Sequence, residues 1–387
     1  MINYGKHYID KQDIKSIIKV LKSENLTQGP TVKLFEKKLN FFFGSKYCTV
    51  VSNGTAALHI AGISLGWDKN SVIITTPLTF IATANAIEYS NARLELADIK
   101  DDGTIDPKQV EKIIKKYKSK NKKISAVIGV DYYGNTCDWE KLYHLKKKYK
   151  FNLINDNCHA LGSSYKKSEK YAVKYADIVT QSFHPVKNIT TGEGGCLITN
   201  NFQLKKKFDY LRSHGIIEKK NGYASLGRDT KYLGFNYRIS DINCAIGITQ
   251  LKKINIFIKK RRLIAAIYDN FFKKYKDLFL IPKKNKHCKP SYHLYPLRIK
   301  FENINLSKKK FYLLLKKKYK INLQIHYNPV YNQSYYKKKY KFQKLFFPNT
   351  EKFISEVVSL PIFFELKKNQ ILKISKTILK ICLQKKY

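Results

Sequence analysis

Between residues 45 and 200, short apolar runs alternate with stretches of helical period, and this alternation constrains the fold more than any other feature. Runs at 47–51, 71–75, 93–97, 124–130 and 151–154 are too short for helices and read as buried strands. Between them, 55–65, 82–89, 107–117 and 139–149 repeat apolar residues at helical spacing. Two further strands are predicted at 177–183 and 195–200. Buried strands joined by helical crossovers require an α/β architecture around a mostly parallel sheet, here of seven strands. A helix is predicted from Ser240 or Asp241 to 251. A longer one follows, carrying Ile256, Ile264, Tyr268 and Phe272. Beyond about 277 the chain alternates again: strand 294–299, helix 306–318, strands 323–326 and 359–362, and an amphipathic helix from Lys368. The expected division is a large domain with an N-terminal arm over 1–255 and a smaller α/β domain over 256–387.

The formal charge of +45 would ordinarily suggest a nucleic-acid partner. The makeup of the charge argues otherwise. Of the 74 basic residues 67 are Lys, scattered in twos and threes along the whole length. Base-reading proteins lean on the planar fork of Arg. Solvated helix faces are therefore expected, with no nucleic acid as partner. No run approaches the about 18 apolar residues of a membrane span, and the N-terminus lacks the apolar stretch of a signal peptide. Seven cysteines form no C-x-x-C pair. A reducing, cytoplasmic location without a disulfide framework or metal site is expected.

Five segments carry candidate chemistry. In Ser182-Phe183-His184-Pro185-Val186-Lys187, followed by the glycine-rich turn Gly192-Glu193-Gly194-Gly195, a strand ends and a lysine follows. That places Lys187 at the mouth of the sheet, where open α/β sheets bind ligands. Partial burial there would make it a Schiff-base nucleophile. The alternative is one more surface lysine. In Asn155-Asp156-Asn157-Cys158-His159, an acid follows a buried strand. It is either a helix cap or a carboxylate facing the ligand crevice. With a Schiff-base lysine about 30 residues on, such an Asp can keep a pyridine nitrogen protonated. Ser52-Asn53-Gly54-Thr55 opens a helix, and a helix N-terminus with a hydroxyl suits a phosphate or needs only a simple cap. Phe80, just past a strand end, can stack on a flat ring or serve as ordinary core. In Gly234-Phe235-Asn236-Tyr237-Arg238, a scarce Arg precedes a helix and could grip a phosphate or carboxylate, or make a structural ion pair.

Taken together, these segments resemble the DegT/DnrJ/EryC1/StrS sugar aminotransferases, a branch of the fold-type I pyridoxal-phosphate enzymes. The shared order runs S-x-G-T-A-A-L, T-P-x-x-F-x-A-T-A-N, D-x-x-H-A-L-G, S-F-H-x-x-K-x-x-T-T-G-E-G-G, R-x-H-G and G-x-N-x-R. It covers essentially the whole chain. The resemblance implies pyridoxal 5′-phosphate as cofactor and Lys187 as the lysine that holds it. It implies Asp156 as partner of the pyridine nitrogen, His159 beside the ring, and Phe80 as the stacking aromatic. Gly54, Thr55 and Ser182 match phosphate-binding positions. Asn236 and Arg238 would reach the site from the second subunit of a homodimer with shared active sites. Tyr4, the segment Glu24, Asn25, Leu26 and Thr27, and the segment His326, Tyr327, Asn328 and Pro329 match sugar-nucleotide contacts.

The expected reaction moves an amino group from L-glutamate to the 4-keto carbon of a UDP-linked 4-keto-6-deoxy-N-acetyl-hexosamine, in pseudaminic acid biosynthesis. Keto-sugars of legionaminic acid, bacillosamine or perosamine type are the alternatives, and a nucleic-acid-binding or regulatory protein on the same scaffold is a third. Asn155 stands where many members have Glu, and His184-Pro185-Val186 replaces the more usual His-Ala-Thr or His-Ala-Ile. Neither removes a group the chemistry needs. Relatives that dehydrate sugars carry His in place of the lysine, so an intact Lys187 favours transamination.

Overall fold

The computed structural model describes residues 1–218, 228–304 and 306–383. Seven strands form the central sheet: β1 (Tyr47–Val51), β2 (Val72–Thr75), β3 (Arg93–Leu96), β4 (Ala126–Val130), β5 (Asn152–Asp156), β6 (Ile178–Ser182) and β7 (Gly195–Thr199). Their spatial order is β1-β7-β6-β5-β4-β2-β3. From β6 to β3 every pairing is parallel, and only β7 runs antiparallel to its neighbours β1 and β6. The sheet is mostly parallel, as its buried apolar strands and helical crossovers require.

Alternate strand residues separate into two cores. Val50, Ile74, Val127, Leu153, Val179 and Ile198 join the core on one face. Val51, Ile73, Ile128, Ile154, Ile178 and Leu197 join the core on the other. Successive side chains point to opposite faces of a strand, so both faces are covered and no strand can afford alternating polarity. The helix Gly54–Ser64 packs on the second face through Ala56, Ala57, Ile60 and Ala61, and its three alanines let it approach closely.

The helix Ile254–Phe272 leads out of the sheet region. A three-stranded antiparallel sheet follows, ordered Phe279–Leu280, Tyr295–Ile299, Val357–Leu360. The helices Ile254–Phe272, Lys308–Lys317 and Lys368–Leu383 cover it, and their apolar faces share one core. That core also takes in Leu78, Ile99, Tyr132 and Tyr133 from the loops of the large sheet. Among the described residues no helix is long and apolar enough to cross a membrane.

Two local expectations are corrected. β5 extends to Asp156, so the acid is the last strand residue and does not follow the strand. Residues 323–326 form no strand: only Gln324 bridges Ser359, and the chain then turns inward at His326.

Candidate active site

The carboxyl ends of β1, β4, β5 and β6 open into one cavity of about 710 Å³. This is where open α/β sheets place ligands. Ten of the expected site residues line it: Tyr4, Gly54, Thr55, Phe80, Asp156, His159, Ser182, Lys187, His326 and Tyr327.

Lys187 stands on the turn that joins β6 to β7. Its N–H donates to the His184 carbonyl at 2.9 Å, and Thr191 N–H donates to the Phe183 carbonyl at 3.0 Å. Asn188 Nδ2 ties the turn to the Leu161 carbonyl at 2.8 Å. Gly192, with φ +79°, supplies the left-handed step that lets the chain return as β7. Burial lowers the pKa of the Lys187 ammonium below the usual lysine range, against the opposing pull of Cys158 and Asp156.

Asp156 is 5% exposed at the end of β5. Its Oδ2 accepts from Thr83 Oγ1 at 2.7 Å and its Oδ1 from the Cys158 amide at 3.2 Å. The loop behind it hangs on a second buried acid. Asp131 accepts from Trp139 Nε1 at 3.0 Å, the Cys137 amide at 2.8 Å, Asn157 Nδ2 at 2.9 Å and Tyr171 Oη at 2.7 Å. Burial pushes the Asp131 carboxyl up to about 6, while Tyr171, the Cys137 amide and Asn157 pull it down.

The helix Gly54–Ser64 aims its first turn at Ser182. Asn53 is its cap, accepting from the Ala56 amide at 2.8 Å, which leaves the Gly54 and Thr55 amides free to face the cavity. A Cβ on Gly54 would lie 2.8 Å from Ser182 Cβ, so only glycine fits between the helix and β6. Small residues, exposed N–H groups and a hydroxyl together form an anion cradle.

Three histidines surround the opposite wall. The rings of His159 and His293 lie 4.4 Å apart, and the His326 ring is 5.5 Å from Tyr4. Burial, and the charge of Lys187, hold all three below the usual histidine range, His326 at about 3. Phe80 is 54% exposed at the mouth, with its ring 5.9 Å from that of Tyr327.

The remaining expected residues lie outside this chain's cavity. Arg238 lines a separate cavity of about 250 Å³ with Gln28, Gly29, Lys33 and Arg212, and its Nη1 donates to Ser213 Oγ at 3.2 Å. Asn236 bridges Ser213. Glu24, Asn25, Leu26 and Thr27 are exposed, and the segment is fixed beside the same region: Thr27 bridges Ser240, and the Leu26 carbonyl accepts from the Asp241 amide at 2.9 Å. Asn328 and Pro329 follow Tyr327 but turn away, their carbonyls accepting from Gln333 Nε2 and the Asn332 amide.

Sequence reasoning passed over several cavity residues. Thr79 and Thr83 are one helical turn apart in a segment already singled out, and that spacing was the available signal. Tyr237 lies between two expected residues, yet it alone of the three lines this cavity, its hydroxyl 3.1 Å from His59 Nδ1. His293 stands alone in its local sequence and carries no signal at all.

A family model described as the DegT/DnrJ/EryC1/StrS aminotransferase family matches residues 7–379. A UDP-4-amino-4,6-dideoxy-N-acetyl-beta-L-altrosamine transaminase of Campylobacter jejuni is 41% identical over 366 residues, covering 95% of this chain and 93% of that protein. One of the same name from Helicobacter pylori is 34% identical, covering 97% and 96%. The solved structure of Helicobacter pylori PseC, described as an aminotransferase involved in the biosynthesis of pseudoaminic acid, superposes with a TM-score of 0.90 at 33% identity, covering 98% of this chain and 99% of that one. A lysine, a carboxylate and an anion cradle converge at the sheet's carboxyl edge within a match that spans nearly every residue, and the chain belongs to the DegT/DnrJ/EryC1/StrS aminotransferase family.

Proposed function

We propose that this protein transfers an amino group from L-glutamate to the 4-keto carbon of a UDP-linked 4-keto-6-deoxy-N-acetyl-hexosamine, as a step toward pseudaminic acid. The observation that carries the reading is the convergence of Lys187, Asp156 and the Gly54–Ser182 cradle in one cavity. The relatives named for that sugar, at 34–41% identity over nearly their whole length, supply the substrate class.

Pyridoxal 5′-phosphate is the cofactor that goes with this family, and the residues fit it. The cradle that a Cβ would fill suits its phosphate, and Asp156, held from behind by Thr83, suits its ring nitrogen. When bound, the cofactor supplies an electron sink and a carrier for the amine. The Gly54 and Thr55 amides and the Ser182 hydroxyl would bind its phosphate. Asp156 would accept a hydrogen bond from the protonated ring nitrogen and keep it charged. Phe80 and His159 would flank the ring and limit water. Lys187 would hold the cofactor through its Nζ, and its amine is placed to serve as the base for the amino donor's Cα proton. Its lowered pKa raises the fraction of neutral amine able to do so.

The reading includes a homodimer acting in the cytoplasm, without a nucleic-acid or membrane partner. Arg238, Asn236 and residues 24–27 lie away from this chain's cavity and close to one another, a placement that suits delivery to a neighbouring subunit's site. It also includes the division near residue 255, in line with the separate core that forms around the three-stranded sheet. The direct test supplies purified protein with glutamate and a panel of UDP-, dTDP- and GDP-linked 4-keto sugars. Amination of the UDP-linked N-acetyl sugar ahead of the others supports the proposal. Preference for a dTDP- or GDP-sugar would overturn it.

A further inference from the structure

A directed chain of hydrogen bonds runs along the cavity wall from Tyr133 to Tyr327. Tyr133 sits in the short 3-10 turn Tyr132–Gly134 with φ +52°, a left-handed conformation uncommon for a bulky residue. From that turn its N–H reaches His159 Nδ1 at 3.3 Å. A main-chain N–H can only donate, so Nδ1 must present its lone pair. Burial, with Lys187 and His326 nearby, keeps the ring neutral. The single ring proton then belongs to Nε2. That nitrogen lies 2.9 Å from Tyr327 Oη, and it donates there.

The consequence falls on Tyr327. Its oxygen accepts from His159, and its own proton finds no acceptor among the described residues. Tyr327 lines the cavity, between His159 on the inner wall and Phe80 at the mouth. Tyr327 already belongs to a segment matched to sugar-nucleotide contacts; we infer that it meets an acceptor oxygen of the keto sugar as a fixed hydrogen-bond donor, and that His159, its proton set by the Tyr133 amide, is the positioning residue that holds it so. The inference rests on the transaminase reading above. A carbonyl or hydroxyl oxygen can accept from this donor.

Two measurements test this. The first is ¹⁵N–¹H correlation spectroscopy on holoenzyme labelled at histidine, with the His159 signals assigned by their loss in His159→Gln. A neutral ring protonated at Nε2 is expected; a ring protonated at Nδ1, or at both nitrogens, overturns the inference. The second is Tyr327→Phe, with the two half-reactions followed separately by cofactor absorbance. Loss of one neutral hydrogen bond should raise KM for the keto sugar about two- to tenfold, while the glutamate half-reaction stays within about twofold. Equal slowing of both half-reactions, or an unchanged sugar KM, overturns the assignment to the sugar. Wild-type enzyme that aminates no keto sugar would overturn the transaminase reading and with it the sugar half of this inference. A wrong tautomer in an active enzyme overturns only the inference.

Discussion

The Thr83 hydroxyl donates to Asp156 Oδ2 at 2.7 Å and itself accepts from Thr79 Oγ1, 2.8 Å away. The direction is forced. An ionised carboxylate can only accept, so Thr83 spends its one proton on Asp156 and takes Thr79's in return. The pair fixes the orientation of the acid proposed above to hold the cofactor's ring nitrogen.

Thr83→Val keeps the shape and removes the donor. A hydrogen bond to a charged group is worth about 1.5–3 kcal/mol, so the glutamate half-reaction should slow roughly ten- to a hundredfold. Thr79→Val acts one bond further away and should cost less. Stopped-flow absorbance on both variants checks the order. An equal effect of both, or none, would show that Asp156 holds its position without the relay.

The cradle gives a steric prediction. In Gly54→Ala the new methyl would meet Ser182 Cβ at 2.8 Å, and both neighbours are fixed by regular structure. Overpacking of this kind costs about 1–3 kcal/mol, and here it widens the anion site. Affinity for pyridoxal 5′-phosphate should fall about five- to a hundredfold, measured by equilibrium dialysis, with native circular dichroism retained. Unchanged affinity would place the phosphate elsewhere.

The buried histidines predict acid sensitivity. His326 titrates at about 3 in the fold because burial and Lys187 disfavour its charge, against about 6.5 in the unfolded chain. Between those values the unfolded state binds more protons, so stability falls as pH falls. The loss begins near pH 6.5 and is complete near pH 3. For His326 alone it amounts to about 2 kcal/mol by pH 5. His159 and His293 shift in the same direction and add to it. His326→Asn retains an acceptor or donor for Ser359 Oγ, 2.9 Å from Nδ1, and removes the titration. Its urea midpoint should change less between pH 7.5 and pH 5 than that of the wild type. A parallel change in both proteins would refute the assignment.

What could be read from sequence, and what could not, divides along physical lines. The strands around Val50, Ile74, Val127 and Ile154 announce themselves because burial on both faces demands unbroken apolar runs. Lys187, Asp156 and Gly54 are legible because each follows or ends such a run, and the carboxyl edge of the sheet gives them a common address. Thr83 is less visible, since a threonine in a helix is usually incidental. His293 and the Tyr133 amide were invisible: one is an isolated ring brought in by the core around the three-stranded sheet, and the other acts through its main chain. The 323–326 segment looked like a strand because Ile321, Leu323 and Ile325 alternate, yet tertiary packing uses that pattern to direct His326 and Tyr327 inward.

Arg238 provides the test of assembly. It lies outside this chain's cavity, beside Ser213 and the segment that holds Leu26 and Thr27. If Arg238 serves the neighbouring subunit's sugar nucleotide, Arg238→Ala removes a charge-assisted contact worth about 1.5–3 kcal/mol. That is roughly a ten- to hundredfold loss of affinity, confined to the sugar half-reaction while glutamate still reacts. Lys187→Ala should abolish turnover outright, since under the proposed function one amine would both anchor the cofactor and move the proton. Mixing the two variants then separates the arrangements. With shared sites, a mixed dimer has one site carrying both lesions and one carrying neither, so activity returns above that of either parent. With each site built inside one chain, every site in the mixture keeps a lesion and activity stays at the parental level. Subunit exchange can be confirmed independently with differently tagged chains. Exchange without recovered activity would mean that Arg238 serves its own chain or none.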